Sequence, residues 1–147
     1  MTTTTSQTKT KEGGMATRQS RMIFVNLAVQ DLGRSVDFFT KLGFTFNPEF
    51  TDERTTCMIV NDGAAYVMLL VRDRFQEFTK KEVADSTAQT EAILALSAHS
   101  REEVDEFANK ALAAGGKLAN DPQDLGFMYS RSFQDPDGHL WEIVWMD

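Results

Sequence analysis

The chain reads as an α+β protein built from two βαβββ modules in tandem, and three observations predict it. Phe24–Val29 runs into Asp31 and a helix closed at Gly43, and the same order returns where Ala92–Ser97 runs into Ser100 and a helix closed at Gly115-Gly116. Each copy then continues into strand-like stretches joined by an Asp-Gly turn, at Asn61-Asp62-Gly63 and at Asp135-Pro136-Asp137-Gly138. A half of about 55 residues is marginal alone, so the two halves must share a core.

Each element has a local reason. Residues 1–20 are rich in Thr, Ser, Lys and Gly with almost nothing to bury, and read as a disordered tail; Gly13-Gly14-Met15 within it reads as an internal start or a fusion scar. The globular part is expected to be one domain over residues 21–147, with module one at about 22–72, a connector at 73–90 and module two at about 91–147. Val25, Leu27 and Val29 alternate with Phe24, Asn26 and Ala28, the period of a strand buried on both faces. Asp31 caps a helix that carries Val36, Phe39 and Leu42 on one face. A short irregular strand is expected at Phe44–Phe50, then strands at Thr55–Val60 and Ala65–Val71. The charged connector carries a short helix at Asp73–Lys80.

In the second module Ser100 and Glu103 form a capping-box pattern ahead of a helix burying Val104, Phe107, Ala111 and Leu112. Strands follow at Lys117–Ala119, Phe127–Gln134 and Leu140–Met146.

Composition excludes several functions. Asp plus Glu number 22 against 15 Lys plus Arg, an acidic balance that repels phosphate backbones and anionic lipid. Nucleic acid is not an expected partner. Cys57 is the only cysteine, so neither an intramolecular disulfide nor a thiolate zinc cluster can form, and a reducing cytoplasm is the expected location. No apolar run approaches the ~20 residues of a membrane span, and no membrane association is expected.

The paired modules and the ending Ser132-Phe133-Gln134-Asp135-Pro136-Asp137-Gly138-His139-Leu140-Trp141-Glu142-Ile143 resemble the vicinal oxygen chelate superfamily of glyoxalase I, bleomycin-resistance proteins and extradiol dioxygenases. Val25-Asn26-Leu27, the stretch Phe75–Glu82 and Gly126-Phe127-Met128-Tyr129 are similar to a bacterial subgroup labelled lactoylglutathione lyase-related. The resemblance implies a glyoxalase-like fold in which the modules form a curled eight-stranded sheet around a cavity. In metal-using members, one inward side chain from the first and one from the last strand of each module hold a divalent ion. Those positions are Asn26, Met68, Leu94 and Glu142 here. Only Glu142 is a good ligand for such metals; Asn26 is a weak neutral donor, while Met68 and Leu94 offer essentially nothing, nor do their neighbours. No metal and no cofactor are therefore expected.

Strand parity then sketches the pocket. With Glu142 inward, Leu140, Val144 and Met146 share its face; Phe24 and Ala28 join Asn26, and Tyr66 and Leu70 join Met68. This is an apolar concavity with a carboxylate, an amide and a phenol, the usual make-up of a small-molecule site. Burial without a cation raises a carboxylate's pKa, which makes Glu142 the candidate catalytic acid or base. The candidate ligand-binding residues are Phe24, Asn26, Tyr66, Met68, Leu94, Tyr129 and Arg131.

Each has a structural competitor: Glu142 paired with Asn26 or Arg131, Arg131 as a surface or inter-subunit partner, His99 and His139 as turn residues, and Cys57 as core. The leading expectation is a glyoxalase-like homodimer that binds a small organic molecule, with any chemistry metal-independent. The alternatives are a metal-dependent lyase, isomerase or dioxygenase of the glyoxalase type, and a ligand-sequestering resistance protein.

Overall fold

The structure is a computed structural model that describes residues 20–147, so the expected tail lies outside the described residues apart from Ser20. Module one comprises β1 (Ile23–Val29), α1 (Leu32–Lys41), β2 (Thr45–Asn47), a 3-10 turn at Pro48–Phe50, β3 (Thr55–Asn61) and β4 (Ala65–Val71). The connector opens with α2 (Arg72–Gln76). Module two comprises β5 (Ile93–Ser97), α3 (Arg101–Ala113), β6 (Lys117–Leu118), β7 (Gln123–Asp124), β8 (Met128–Gln134) and β9 (Leu140–Met146).

The strands form two sheets ordered β1-β4-β3-β2 and β5-β9-β8-β6, with β7 added against β8. In each module the first strand runs parallel to the last, Asn26 opposite Met68 and Ala95 opposite Glu142. The extra strand β7 is two polar residues long, too short to show a hydrophobic period. The connector helix is shorter than expected, ending at Gln76. No helix among the described residues is long and apolar enough to cross a membrane.

The helix ends follow from their caps. The Asp31 carboxylate accepts from Arg34 N–H at 3.1 Å, and Gly43 takes φ 101° just past the end of α1. Ser100 accepts from Glu103 N–H at 3.0 Å, and the Glu103 carboxylate reaches back to His99 N–H.

One core joins the modules. Leu27, Val29, Val67 and Leu69 of the first sheet meet Phe133, Trp141 and Ile143 of the second, with Phe38 and Phe39 of α1 and Val104 and Ala111 of α3. Phe39 lies 5.2 Å from Trp141 and Phe38 6.2 Å from Phe133, centroid to centroid, so the helix of module one packs directly on the sheet of module two.

A polar seam fixes the same arrangement. The Asp137 carboxylate, in the β8–β9 turn, accepts from Gln30 N–H at 2.8 Å, Arg34 at 3.1 Å and the Ser35 hydroxyl at 3.2 Å. Ser86 of the connector donates to Asp137 O at 2.6 Å, and the His139 ring donates to Ala28 O at 2.8 Å. Beneath it, Asp135 accepts from Trp141 Nε1–H and from the N–H groups of Asp137 and His139. Burial pushes the Asp135 carboxyl up. His139 lies just after the turn, as expected of a solvent-side or turn residue, and is in addition half-buried and tied into the seam; His99 is exposed.

Candidate functional site

Residues directly opposite in a sheet share a face, so the register sorts each candidate. On β1 and β4, Leu27, Val67 and Leu69 point into the core, which turns Phe24, Asn26, Tyr66 and Met68 to the outward face. Phe24 stacks on Tyr66 with centroids 5.1 Å apart and remains 49% exposed. The Tyr66 hydroxyl donates to Asp62 at 3.1 Å and accepts from Gly63 N–H at 2.7 Å. That phenol is committed to its own β3–β4 turn and is not the cavity hydroxyl the parity suggested.

Three other candidates change face. Leu94 lies opposite Trp141, not Glu142, and packs against the core; Ala95 holds the outward position beside Glu142. The shift is one residue, which in a strand moves the side chain to the other surface. Tyr129 and Arg131 flank Ser130 on β8, share the face of Phe133 and bind α3: Tyr129 OH donates to Asp105 at 2.6 Å, and Arg131 donates to Asp105 at 3.2 Å and Asn109 at 3.0 Å. The Tyr129 hydroxyl and the Arg131 guanidinium hold Asp105 below the ordinary carboxylate range, and the same bond pushes the Tyr129 phenol up. Both side chains are helix anchors on the face opposite Glu142.

Glu142 sits half-buried at the floor of a niche of about 370 Å³. Ser130 and Ser132, buried at 3% and 8% exposure, share its face on β8, with Ser132 directly opposite it in register. Residues 120–123 form the roof, and Ser132 Oγ accepts from Asn120 N–H at 2.8 Å to hold that roof down. The roof is fastened further at β7. Arg101 grips Asp124 through two hydrogen bonds of 2.9 and 3.0 Å while lying over the Tyr129 and Trp145 rings at 5.3 and 5.0 Å. This pairing lowers the Asp124 carboxyl to about 2.

Among the described residues the Glu142 carboxylate has neither an ion-pair nor a hydrogen-bond partner. The pairings with Asn26 or Arg131 are absent: Asn26 donates to Phe24 O and Arg131 to α3. The surroundings are also more polar than expected. Ser130 is legible from the sequence beside Tyr129 and Arg131 as a residue able to reach an anionic ligand, whereas Ser132 and the roof are not singled out there, although the alternation of Ser130 and Ser132 with Tyr129, Arg131 and Phe133 carries the signal. Asn26 lines a different cavity, which shares no residue with the Glu142 niche.

The residues do not fit a divalent metal. Asn26, Met68, Ala95 and Glu142 occupy the four comparable outward positions, and they supply one carboxylate, one amide and no imidazole. Among the described residues no cluster of three His, Cys, Asp or Glu is placed to hold an ion.

Two βαβββ modules, each with its first and last strands paired in parallel, define a glyoxalase-like protein. A family model described as the Glyoxalase/Bleomycin resistance protein/Dioxygenase superfamily matches residues 21–143, and the chain belongs to that superfamily. Among solved structures it is similar to the hypothetical protein SA1046 from S. aureus, with 31% identity over 86% of this chain and 92% of that one and a TM-score of 0.71. A glyoxalase-related enzyme from Fulvimarina pelagi shares the fold at 23% identity, covering 85% of this chain and 87% of that one with a TM-score of 0.72. The fosfomycin resistance protein FosX from Listeria monocytogenes shares it at 20% identity, 87% and 94% coverage and a TM-score of 0.63. No curated protein matches the chain.

Proposed function

We propose that this protein binds a small organic molecule at the outward face of its second sheet and that Glu142 meets the ligand's polar end. The observation that carries the reading is the half-buried Glu142 carboxylate, unpartnered among the described residues and beside the buried hydroxyls of Ser130 and Ser132. A half-buried carboxylate with no protein partner leaves its acceptor capacity free for a ligand that donates a hydrogen bond. Any chemistry is metal-independent, with Glu142 as general acid or base and Ser130 as a second hydrogen-bonding group. The single buried Cys57 accords with a cytoplasmic setting.

The niche is open on its outer side, and the natural wall is the outward face of a first sheet. Within one chain Asn26 and Glu142 line separate cavities. A homodimer that sets the Phe24, Asn26 and Met68 face of one protomer over the Glu142 niche of its partner joins an apolar wall to a polar floor.

The test pairs native mass spectrometry, which names a co-purified ligand, with Glu142→Gln. That variant keeps the shape and much of the hydrogen bonding but loses ionisation. The expected result is weakened binding of that ligand at unchanged fold stability, a dimer in sedimentation at micromolar concentration, and no turnover of the hemithioacetal of methylglyoxal and glutathione. Unchanged affinity in Glu142→Gln overturns the assignment. Robust hemithioacetal turnover moves the reading to a glyoxalase-type lyase, and saturable binding without any product identifies a sequestering protein.

A further inference from the structure

A second cavity, of about 490 Å³, runs along the free edge of β1 beneath the connector. Its size falls in the ~300–1,000 Å³ range of small-molecule pockets. Val25, Leu27, Phe75, Val83, Leu94 and Leu140 give it an apolar lining. The strap above it is fixed at several points. Arg72 donates to Val83 O at 2.6 Å, Gln76 donates to Thr79 O and Lys81 O at 3.1 and 2.8 Å, and Ser86 is bonded to Asp137 O. At Gly138 the two segments approach so closely that a Cβ would stand 2.5 Å from Ser86 O, so only glycine admits the strap there.

The wall on the β1 side is an unpaired strand edge. In a parallel pair each residue turns its N–H and C=O to the same side, and successive residues alternate. Ile23 N–H bonds Ala64 O, which assigns Ile23, Val25 and Leu27 to the ladder with β4. Ala28 O accepts from His139 and Gln30 N–H donates to Asp137, which assigns Phe24, Asn26 and Ala28 to the free edge. Phe24 O is taken by the Asn26 side chain at 3.2 Å. Among the described residues, what is left without a partner is the Phe24 N–H, the Asn26 N–H and C=O and the Ala28 N–H, the last two residues lining an apolar cavity.

A strand residue that offers both groups to one side is complementary to any molecule with an N–H and a C=O flanking one carbon, as an added antiparallel strand presents them. We propose that this cavity is a binding site for a small apolar N-acyl amino-acid amide, whose N–H and C=O flank one carbon, held as a one-residue extension of the sheet. The ligand N–H donates to Asn26 O, the ligand C=O accepts from Asn26 N–H, and its apolar side group, on the same outward face as Asn26, meets the Ala28 and Leu140 part of the lining. The cavity shares no lining residue with the Glu142 niche of the same chain, and the proposal does not rest on that niche's function.

The probe is N-acetyl-leucine methylamide, titrated into ¹⁵N-labelled full-length protein and followed by the amide resonances. Saturable shifts centred on Asn26, Ala28 and Leu94 are expected, with at least tenfold weaker binding of the analogue methylated on the leucine nitrogen, which lacks the donor. Ala92→Trp fills the cavity from an exposed rim position and should abolish the shifts while the protein keeps its melting temperature; Ala84→Trp serves as the second filling variant if the first does not fold. Glu142→Gln should leave the titration unchanged, which separates this site from the niche. Absence of saturable shifts at Asn26 and Ala28, equal binding of the methylated analogue, or shifts confined to the Ser130–Ser132 region overturns the proposal.

Discussion

The outward faces of the two sheets were built on one topology and have diverged in chemistry. On the first sheet the Phe24–Tyr66 stack, Met68 and the half-buried Ile59 make an apolar platform, and Cys57 lies directly opposite Met68, its thiol pushed up by burial. On the second, the equivalent surface sets Ser130, Ser132, Gln134 and Glu142 among Leu140, Val144 and Met146. The inward faces show the opposite relation: both are apolar and both enter a single core. Duplication therefore preserved what the shared core requires and left the outer surfaces free to specialise, one toward dispersion contacts and one toward hydrogen bonding. A ligand with an apolar body and a polar end needs both kinds of surface, which is the physical motive for bringing sheets from two protomers together.

The most severe break in this relation is Trp141→Ala. Trp141 is 1% exposed, contacts Phe39 and Phe133, and donates to Asp135, and its loss should cost about 3–5 kcal/mol in denaturant melts. Asp137→Ala attacks the seam instead. It leaves Gln30 N–H and the Ser35 hydroxyl without their acceptor, and at about 1–3 kcal/mol per buried unmade bond the loss should be about 3 kcal/mol. A loss below 1 kcal/mol, read from urea melts, would show that the apolar core alone joins the modules.

Ser100→Ala removes a cap from module two only, and should cost about 1 kcal/mol by thermal denaturation while leaving ligand affinity in the Glu142 niche intact. The Arg101–Asp124 clamp contributes a smaller, pH-dependent effect. Because Asp124 is lowered to about 2, its stabilisation is complete above the ordinary Asp range, near 4, and fades as pH falls through about 2. Asp124→Asn should therefore flatten the acid side of the melting curve and raise hydrogen exchange in residues 120–127. The smallest effect expected is none: nickel, zinc, manganese or iron should not raise the melting temperature, whereas a metal at ten times its dissociation constant would add about 1.4 kcal/mol.

Much of this molecule was legible before folding. The β1, β4 and β9 spans follow from alternation, and Asp31, Gly43 and Ser100 act at the helix ends they mark. Of the five phenylalanines Phe38, Phe39, Phe44, Phe46 and Phe50, expected to pack between helix and sheet, the first four do so and Phe50 is 58% exposed. The site was less legible. Tyr129 and Arg131 were read by their reach along the strand, but their partners, Asp105 and Asn109, are about twenty-five residues away in sequence and appear only when α3 lies on β8. Leu94 is one residue off the position beside Glu142, although it lines a cavity with Asn26, because β5 carries apolar side chains on both faces, Ile93 outward and Leu94 inward, and alternation alone does not set its parity.

By itself the sequence determined the two-module plan, the helix boundaries and the poverty of metal donors, because periodicity, caps and ligand chemistry are properties of short stretches. Only the tertiary structure decided that Asp137 ties the modules together, that Glu142 lacks a partner beside two buried serines, and that the Asn26 edge lies open under a fixed strap. The reason is that a hydrogen bond is satisfied or left open by groups far apart in the chain, and their distances exist only once both sheets have closed on a common core.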